Sequence, residues 1–173
     1  MNLLRNEHIR LRTLEPEDLD LLYVWENDTT LWTWGSTVSP YSRYTLKEYI
    51  ANSHLSIYEV RQLRLMIEER PSCKGVGLVD LYDFDPHNRK AAAGILLGAQ
   101  YQGKGLATEA LNLLIGYAFS FLKLHQLYAY IPASNEPSKA LFQRCGFTVT
   151  GVLSDWISTE KGYADVLFAQ RIN

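Results

Sequence analysis

The sequence predicts an α+β fold, with a mostly antiparallel central sheet of about seven strands, one central β-α-β crossover and about four helices. Three observations predict it. Residues 63–98 read as three strands in a row, separated by Pro71-Ser72-Cys73-Lys74-Gly75 and Asp85-Pro86-His87-Asn88, the pattern of an antiparallel meander. Residues 106–122 carry a wide apolar helical face and lead into a short apolar strand at 127–131, so the third strand, this helix and the next strand form a β-α-β unit. The chain ends on two further strands, 149–157 and 163–172, flanking the turn Lys161-Gly162.

The remaining elements fit around these. Ile9-Arg10-Leu11-Arg12-Thr13-Leu14 alternates apolar and polar residues, as a half-buried first strand does. Pro16-Glu17-Asp18 opens a helix, because proline presets φ and the acids face the positive end of the dipole. Leu19, Leu22, Tyr23 and Glu26 continue it. Residues 29–44 are aromatic and rich in turn formers, with Trp32, Trp34 and Tyr41, and a second helix is predicted at 45–60. The meander strands are placed at 63–68, 76–84 and 90–98. In the long helix, Leu106, Ala110, Leu111, Leu114, Tyr117, Ala118 and Phe121 recur at three- and four-residue spacing. A short helix at 136–145 is stopped by Gly146.

Bulk properties exclude several classes. The 173 residues suit one domain spanning 1–173. A composition of 47% hydrophobic and 21% charged residues is too apolar for a disordered chain. The formal net charge of −2 is too balanced for a nucleic-acid binder that works by bulk positive charge. Apolar runs such as 91–97 fall far short of the ~18 residues of a membrane span, and residues 1–7 lack the apolar core of a signal peptide. Cys73 and Cys145 are distant and form no CxxC or Cys/His ligand pattern, as expected of a reduced cytoplasmic protein without structural zinc or other metal.

The most informative segment is Gly98-Ala99-Gln100-Tyr101-Gln102-Gly103-Lys104-Gly105-Leu106-Ala107-Thr108, which joins a buried strand to the long helix. Glycines allow close backbone approach, and the first-turn N–H groups of a helix lack internal partners, so this segment reads as an anion site suited to phosphate. A P-loop fails here, because Gly105 stands where the Mg²⁺-binding hydroxyl belongs. A dinucleotide fingerprint fails at Thr108, and the loop follows a meander instead of opening a parallel βαβ domain. A pyrophosphate cradle for coenzyme A is the third candidate.

Gln102-Gly103-Lys104-Gly105-Leu106-Ala107 resembles the [RQ]-x-x-G-x-[GA] motif of the GNAT superfamily, the acetyl-CoA-dependent N-acetyltransferases. The longer string from Tyr101 to Ala110 resembles the branch of ribosomal-protein-alanine and spermidine N-acetyltransferases. Ile9-Arg10-Leu11-Arg12 is similar to the first strand of that branch, Asn135-Glu136-Pro137-Ser138-Lys139-Ala140 with Cys145-Gly146-Phe147 to its second cofactor segment, and Gly162-Tyr163-Ala164-Asp165 to its last hairpin. The likeness covers about residues 8–170.

The resemblance implies acetyl-CoA as co-substrate. Its pyrophosphate would lie on the backbone of Gln102, Gly103, Lys104, Gly105, Leu106, Ala107 and Thr108, with Lys104 adding charge. Its pantetheine arm would pair with the strand ending Ile95-Leu96-Leu97-Gly98, which splays from its neighbour in the family, and Asn135 and Ser138 would contact the cofactor. Asn135 also fits a helix N-cap. The implied reaction is direct attack of a primary amine on the thioester, with the Leu97 N–H as oxyanion donor. Two family groups are absent: Ala92 stands at the usual glutamate and Phe142 at the usual tyrosine. Candidate replacements are Asp80, as proton acceptor or as a salt-bridged carboxylate on the sheet face, and Glu26, which reads as a solvated helix-end residue. Trp34 and Tyr41 are the expected acceptor-pocket members, because aromatic faces attract alkylammonium groups. The acceptor is expected to be a polyamine, another small amine or a peptide N-terminus, bound between the Trp25–Tyr44 region and the last hairpin; a homo-oligomer is compatible with this reading. A coenzyme-A-binding sensor with little catalysis uses the same loop. Proximity alone supplies ~7–11 kcal/mol of a barrier, so the loss of an ideal acid slows such an enzyme without abolishing it, which favours catalysis.

Overall fold

Alternation in the first strand, β1 (Ile9–Arg12), buries Ile9 and Leu11 and sends Arg10 and Arg12 to the other face. This computed structural model describes residues 3–173, so Met1 and Asn2, at the head of the N-terminal stretch read above, lie outside the described residues. β1 pairs antiparallel with β2 (Leu63–Glu69), which continues into the meander of β3 (Lys74–Asp85) and β4 (Lys90–Leu97). β5 (Gln126–Pro132) lies parallel to β4, and β6 (Thr148–Thr159) and β7 (Gly162–Ile172) form the final hairpin. The sheet order is β1-β2-β3-β4-β5-β7-β6, so the one parallel contact sits at its centre, as predicted.

Helices cover both faces. α5 (Leu106–Ser120) buries Leu106, Ala110, Leu111, Leu114 and Ala118 in a core shared with β1, β5 and α6 (Glu136–Arg144). On the opposite face, α1 (Leu19–Glu26) and α3 (Arg43–Ala51) bring Leu22, Trp25, Leu46 and Ile50 onto Met66 and Leu78. Close approach in the sheet requires Gly77: a Cβ there would lie 2.2 Å from the Leu96 carbonyl oxygen. At the β1 end a buried ion network ties the layers together. Arg12 donates to both Asp18 and Glu68, Arg10 donates to Glu68, and both acids are buried.

The predicted helix at 45–60 is two helices. Ser42 caps α3 by accepting the Thr45 N–H, and α3 ends at Asn52. Ser56 and Glu59 form a capping box that starts a new turn, α4 (Ile57–Val60). Ser and Asn compete for backbone bonds and favour caps over helix interiors, which is the physical reason for the break. The aromatic stretch also holds one capped turn, α2 (Thr29–Trp32), started by Asp28. Helices of eight residues or more number four among the described residues: α1, α3, α5 and α6. No helix among the described residues is long and apolar enough to cross a membrane.

Candidate active site

The site begins where β4 and β5 part. They share only three ladder pairs, Lys90↔Gln126, Ala91↔Leu127 and Ala92↔Tyr128, although both strands run on. The Gly98 N–H donates to the Val76 carbonyl, on the β3 side. Backbone groups alternate sides along a strand, so those of Ile95 and Leu97 face the gap left by β5.

Beyond the gap lies the glycine loop. Ala99–Tyr101 makes a 3₁₀ turn, and α5 starts at Leu106. Gly103 and Gly105 hold φ of +75° and +81°, a region that side chains disfavour, and a Cβ on either would meet nothing within 4 Å. The loop therefore presents bare backbone to open space, with the first-turn N–H groups of Leu106, Ala107 and Thr108 behind it. Gln102 serves the loop differently from the sequence expectation: its N–H bonds Ala99 and its side chain donates to the Leu97 carbonyl at 3.3 Å, fastening the loop to the end of β4. Lys104 Nζ lies 5.5 Å from the centre of the Tyr101 ring.

A cavity of about 740 Å³ opens beside the gap. Its lining includes Ile95, Asn135, Ser138, Asp80 and Trp34, so the structure brings these five predicted residues together. It lies between residues 25–37 and the final hairpin, where an acceptor was expected. All four tryptophans of the chain, Trp25, Trp32, Trp34 and Trp156, line it. Tyr41 does not; its backbone is tied on both sides to the Asn27 side chain, at 2.8 and 3.0 Å. Asn135 is the N-cap of α6, accepting the Ser138 N–H at 3.2 Å, while its side chain still borders the cavity. Ala92 is fully buried, and Phe142 lines the cavity with its ring edge-on to Phe147 at 5.0 Å.

The charged feature of the cavity is an ion-paired triad. Arg64 binds Asp80 through two bonds of 2.7 and 3.0 Å and Glu26 through a third of 2.5 Å. Burial opposes the Arg64 charge, but the charge and hydrogen bonds of Asp80, with smaller contributions from Tyr49 and Glu26, hold the guanidinium well above its ordinary value. Burial, reinforced by the neighbouring Asp83, raises the Tyr82 hydroxyl in the same cavity. Sequence reasoning missed Arg64 and took Glu26 for solvated, whereas its side chain is only 16% exposed. Arg64 shares a strand face with Met66, and that face is covered by α1 and α3 instead of water. Trp156 was not singled out, although it lies in the final hairpin expected to border the acceptor: β6 bulges between Leu153 and Ile157, with Asp155 at φ +51°, and the bulged segment meets the cavity.

The family model of the acetyltransferase (GNAT) domain matches residues 8–148. This chain belongs to the GNAT family. It is 31% identical over 147 residues to the spermidine N(1)-acetyltransferase of Escherichia coli (strain K12), covering 84% of this chain and 75% of that protein. A crystal structure of spermidine N-acetyltransferase from Vibrio cholerae, in complex with CoA and spermine, superposes with a TM-score of 0.85 at 27% identity, covering 96% of each chain. A dodecameric structure of the Vibrio cholerae enzyme gives 0.79 at 27% identity, covering 96% of this chain and 95% of that one.

As a GNAT enzyme the protein is an acetyl-CoA-dependent N-acetyltransferase, and acetyl-CoA is its co-substrate. The residues fit that group: an unpaired flank of β4 for an extended arm, and a loop bare of side chains at Gly103 and Gly105, at a helix start, for phosphates. When bound, acetyl-CoA supplies an activated acetyl thioester.

Proposed function

We propose that this enzyme, one GNAT-like domain over residues 1–173, acetylates a small primary amine by direct transfer, with polyamines the leading acceptor class. The observation that carries this is the continuity of the β4–β5 gap with an acidic, aromatic cavity: Ile95 borders both. An alkylammonium fits such walls through carboxylate pairing and cation–π contact. The spermidine enzymes described above support the polyamine class, and the dodecameric relative supports a homo-oligomer. Free Cys73 and Cys145 suit the reduced cytoplasm.

In this reading the backbone of Ile95 and Leu97 pairs with the pantetheine arm, and the Leu97 N–H receives the developing oxyanion. The amides from Gly103 to Thr108, with Lys104, hold the pyrophosphate, while Gln102 braces them. Asn135 and Ser138 border the thioester. Trp34 forms an acceptor wall, and Asp80 fixes Arg64. The test is release of CoA thiol from acetyl-CoA in the presence of spermidine, spermine, monoamines and N-terminal peptides. Turnover with polyamines above the peptides is expected. Turnover of a peptide alone would move the acceptor class, and none with any amine would overturn the reading.

A further inference from the structure

In this chain the carboxylate side of the acceptor chemistry has been displaced from β4. Ala92 is fully buried and offers no functional group, and the next residue on that face is Gly94. A Cβ on Gly94 would lie 3.5 Å from Tyr82 Cε1 and 3.9 Å from Asp80 Oδ2, so side chains of β3 lean across the floor that β4 leaves bare. The acids over this floor are Asp80 and, from the end of α1, Glu26. They are not equivalent. Both Asp80 oxygens are taken by Arg64, whereas Glu26 gives Arg64 only Oε1. No hydrogen bond occupies Glu26 Oε2 among the described residues, and the side chain borders the cavity.

The surrounding charges favour an ammonium at that oxygen. Arg64 from β2, Asp80 from β3 and Glu26 from α1 sum to one negative charge. Tyr49 of α3 places its ring 5.7 Å from the guanidinium. Elsewhere the cavity presents Arg61 and Asp83, of opposite sign, and the hydroxyls of Tyr82 and Tyr130. The surplus negative charge therefore belongs to the triad. An alkylamine near pKa 10.4 arrives at neutral pH almost wholly as ammonium, about one molecule in 10³ to 10⁴ being free base.

We propose that Glu26 Oε2 accepts the acceptor's ammonium proton, and that Arg64 and Asp80 are the pair that positions it. This rests on the cavity being the acceptor site. The proton passes from R–NH₃⁺ to the Glu26 carboxylate. The freed nitrogen lone pair forms the C–N bond to the thioester carbon, whose carbonyl electrons move onto oxygen and return as the C–S bond breaks. Sulfur leaves with the electron pair and takes a proton from water, the hydroxide so formed takes the second proton of the new amide nitrogen, and Glu26 returns its proton to solvent. One proton is released per turnover.

The test is Glu26→Gln, which keeps the shape and removes the charge. At pH 7 its kcat/KM for the acceptor should fall about 10²-fold, the usual worth of a general base, with acetyl-CoA KM unchanged. The deficit should shrink toward pH ~10, where more than about a quarter of the amine is already free in solution. Glu26→Asp should recover part of the loss. Arg64→Lys, which keeps the charge but cannot hold both acids in a fork, should lower kcat while preserving the wild-type pH dependence. A Glu26→Gln enzyme within about threefold of wild type at pH 7, or a deficit equal at both pH values, would overturn the assignment. If Glu26→Gln fails to bind CoA in a calorimetric titration, Glu26→Asp decides: a loss confined to low pH supports the proposal and a pH-independent loss overturns it. A wild type inactive on every amine would overturn the acceptor reading itself, an outcome distinct from these.

Discussion

Gly105 offers a way to weigh charge against shape at the phosphate cradle. It caps α5 at φ +81°, and a Cβ there would touch nothing within 4 Å, so a substituent clashes with no part of the protein. Two effects remain. The first is backbone strain of about 1–2 kcal/mol for a side chain in the left-handed region, least for Asn and Asp. The pair Gly105→Asn and Gly105→Asp share it, and each should melt about 2–8 °C below wild type. The second belongs to Asp alone. A carboxylate ~5 Å from a phosphate charge, at an effective dielectric of ~20, costs about 3 kcal/mol, or roughly a hundredfold in Kd. Calorimetric titration with CoA should therefore find Gly105→Asp about a hundredfold weaker than Gly105→Asn in dilute buffer, and the gap should narrow in ~1 M salt. Equal affinities for the two variants would refute a phosphate at this helix start. An unchanged gap in high salt would show that the difference is not electrostatic.

Phe142→Tyr adds one oxygen at a cavity wall where the family has an acid, and kcat should rise about three- to thirtyfold without a change in acetyl-CoA KM, the ceiling being the ~2 kcal/mol of an unprotonated thiolate; a fall would identify Phe142 as a core residue whose new hydroxyl is stranded. Glu68→Gln strips the buried anion from between Arg10 and Arg12 and should destabilise by about 3 kcal/mol, seen as a Tm lower by about 6–12 °C at pH 7. Burial raises the Glu68 carboxyl, but hydrogen bonds and charge from Arg10 and Arg12 outweigh it and leave it below its ordinary value. Its contribution is thus present above the unfolded value of about 4.3 and lost as pH falls through the depressed native one, so wild type and variant should converge in denaturant melts in strong acid. Trp34→Ala should raise the acceptor KM about tenfold, whereas Tyr41→Ala, outside the cavity wall, should stay within about twofold in the same steady-state assay.

What the sequence revealed was local. The glycine loop and the capped helix at Asn135 each announce themselves within a dozen residues, through positive-φ glycines and a cap, and the meander does so through the turns between neighbouring strands. Within 45–60 a local signal was passed over: the single helix predicted there runs across the Ser56–Glu59 capping box that divides it. The triad was illegible for a different reason. Arg64 and Asp80 meet as cross-strand partners of β2 and β3, but Glu26 is 38 residues from Arg64 and reaches it only because α1 lies over that face of the sheet. A charged residue on an alternating strand looks solvated until the layer above it is known. Trp156 depended on a bulge in β6, which no composition signal marks.

In the proposed reading, the three-pair seam between β4 and β5 would make the co-substrate a structural member of the fold. A strand flank with unpaired backbone groups is ordinarily a hazard, since another chain can dock on it. Here the flank is recessed at the middle of a seven-stranded sheet, so only something slender can enter and act as a guest strand. Once seated, such a guest would stitch together two half-sheets that otherwise meet at one end. At a hundredfold excess over Kd such binding adds about 2.7 kcal/mol to stability, enough to change how often the unfolded chain is exposed to proteases. The amount of enzyme that survives in a cell would then follow the supply of its acyl donor, with no regulatory domain required.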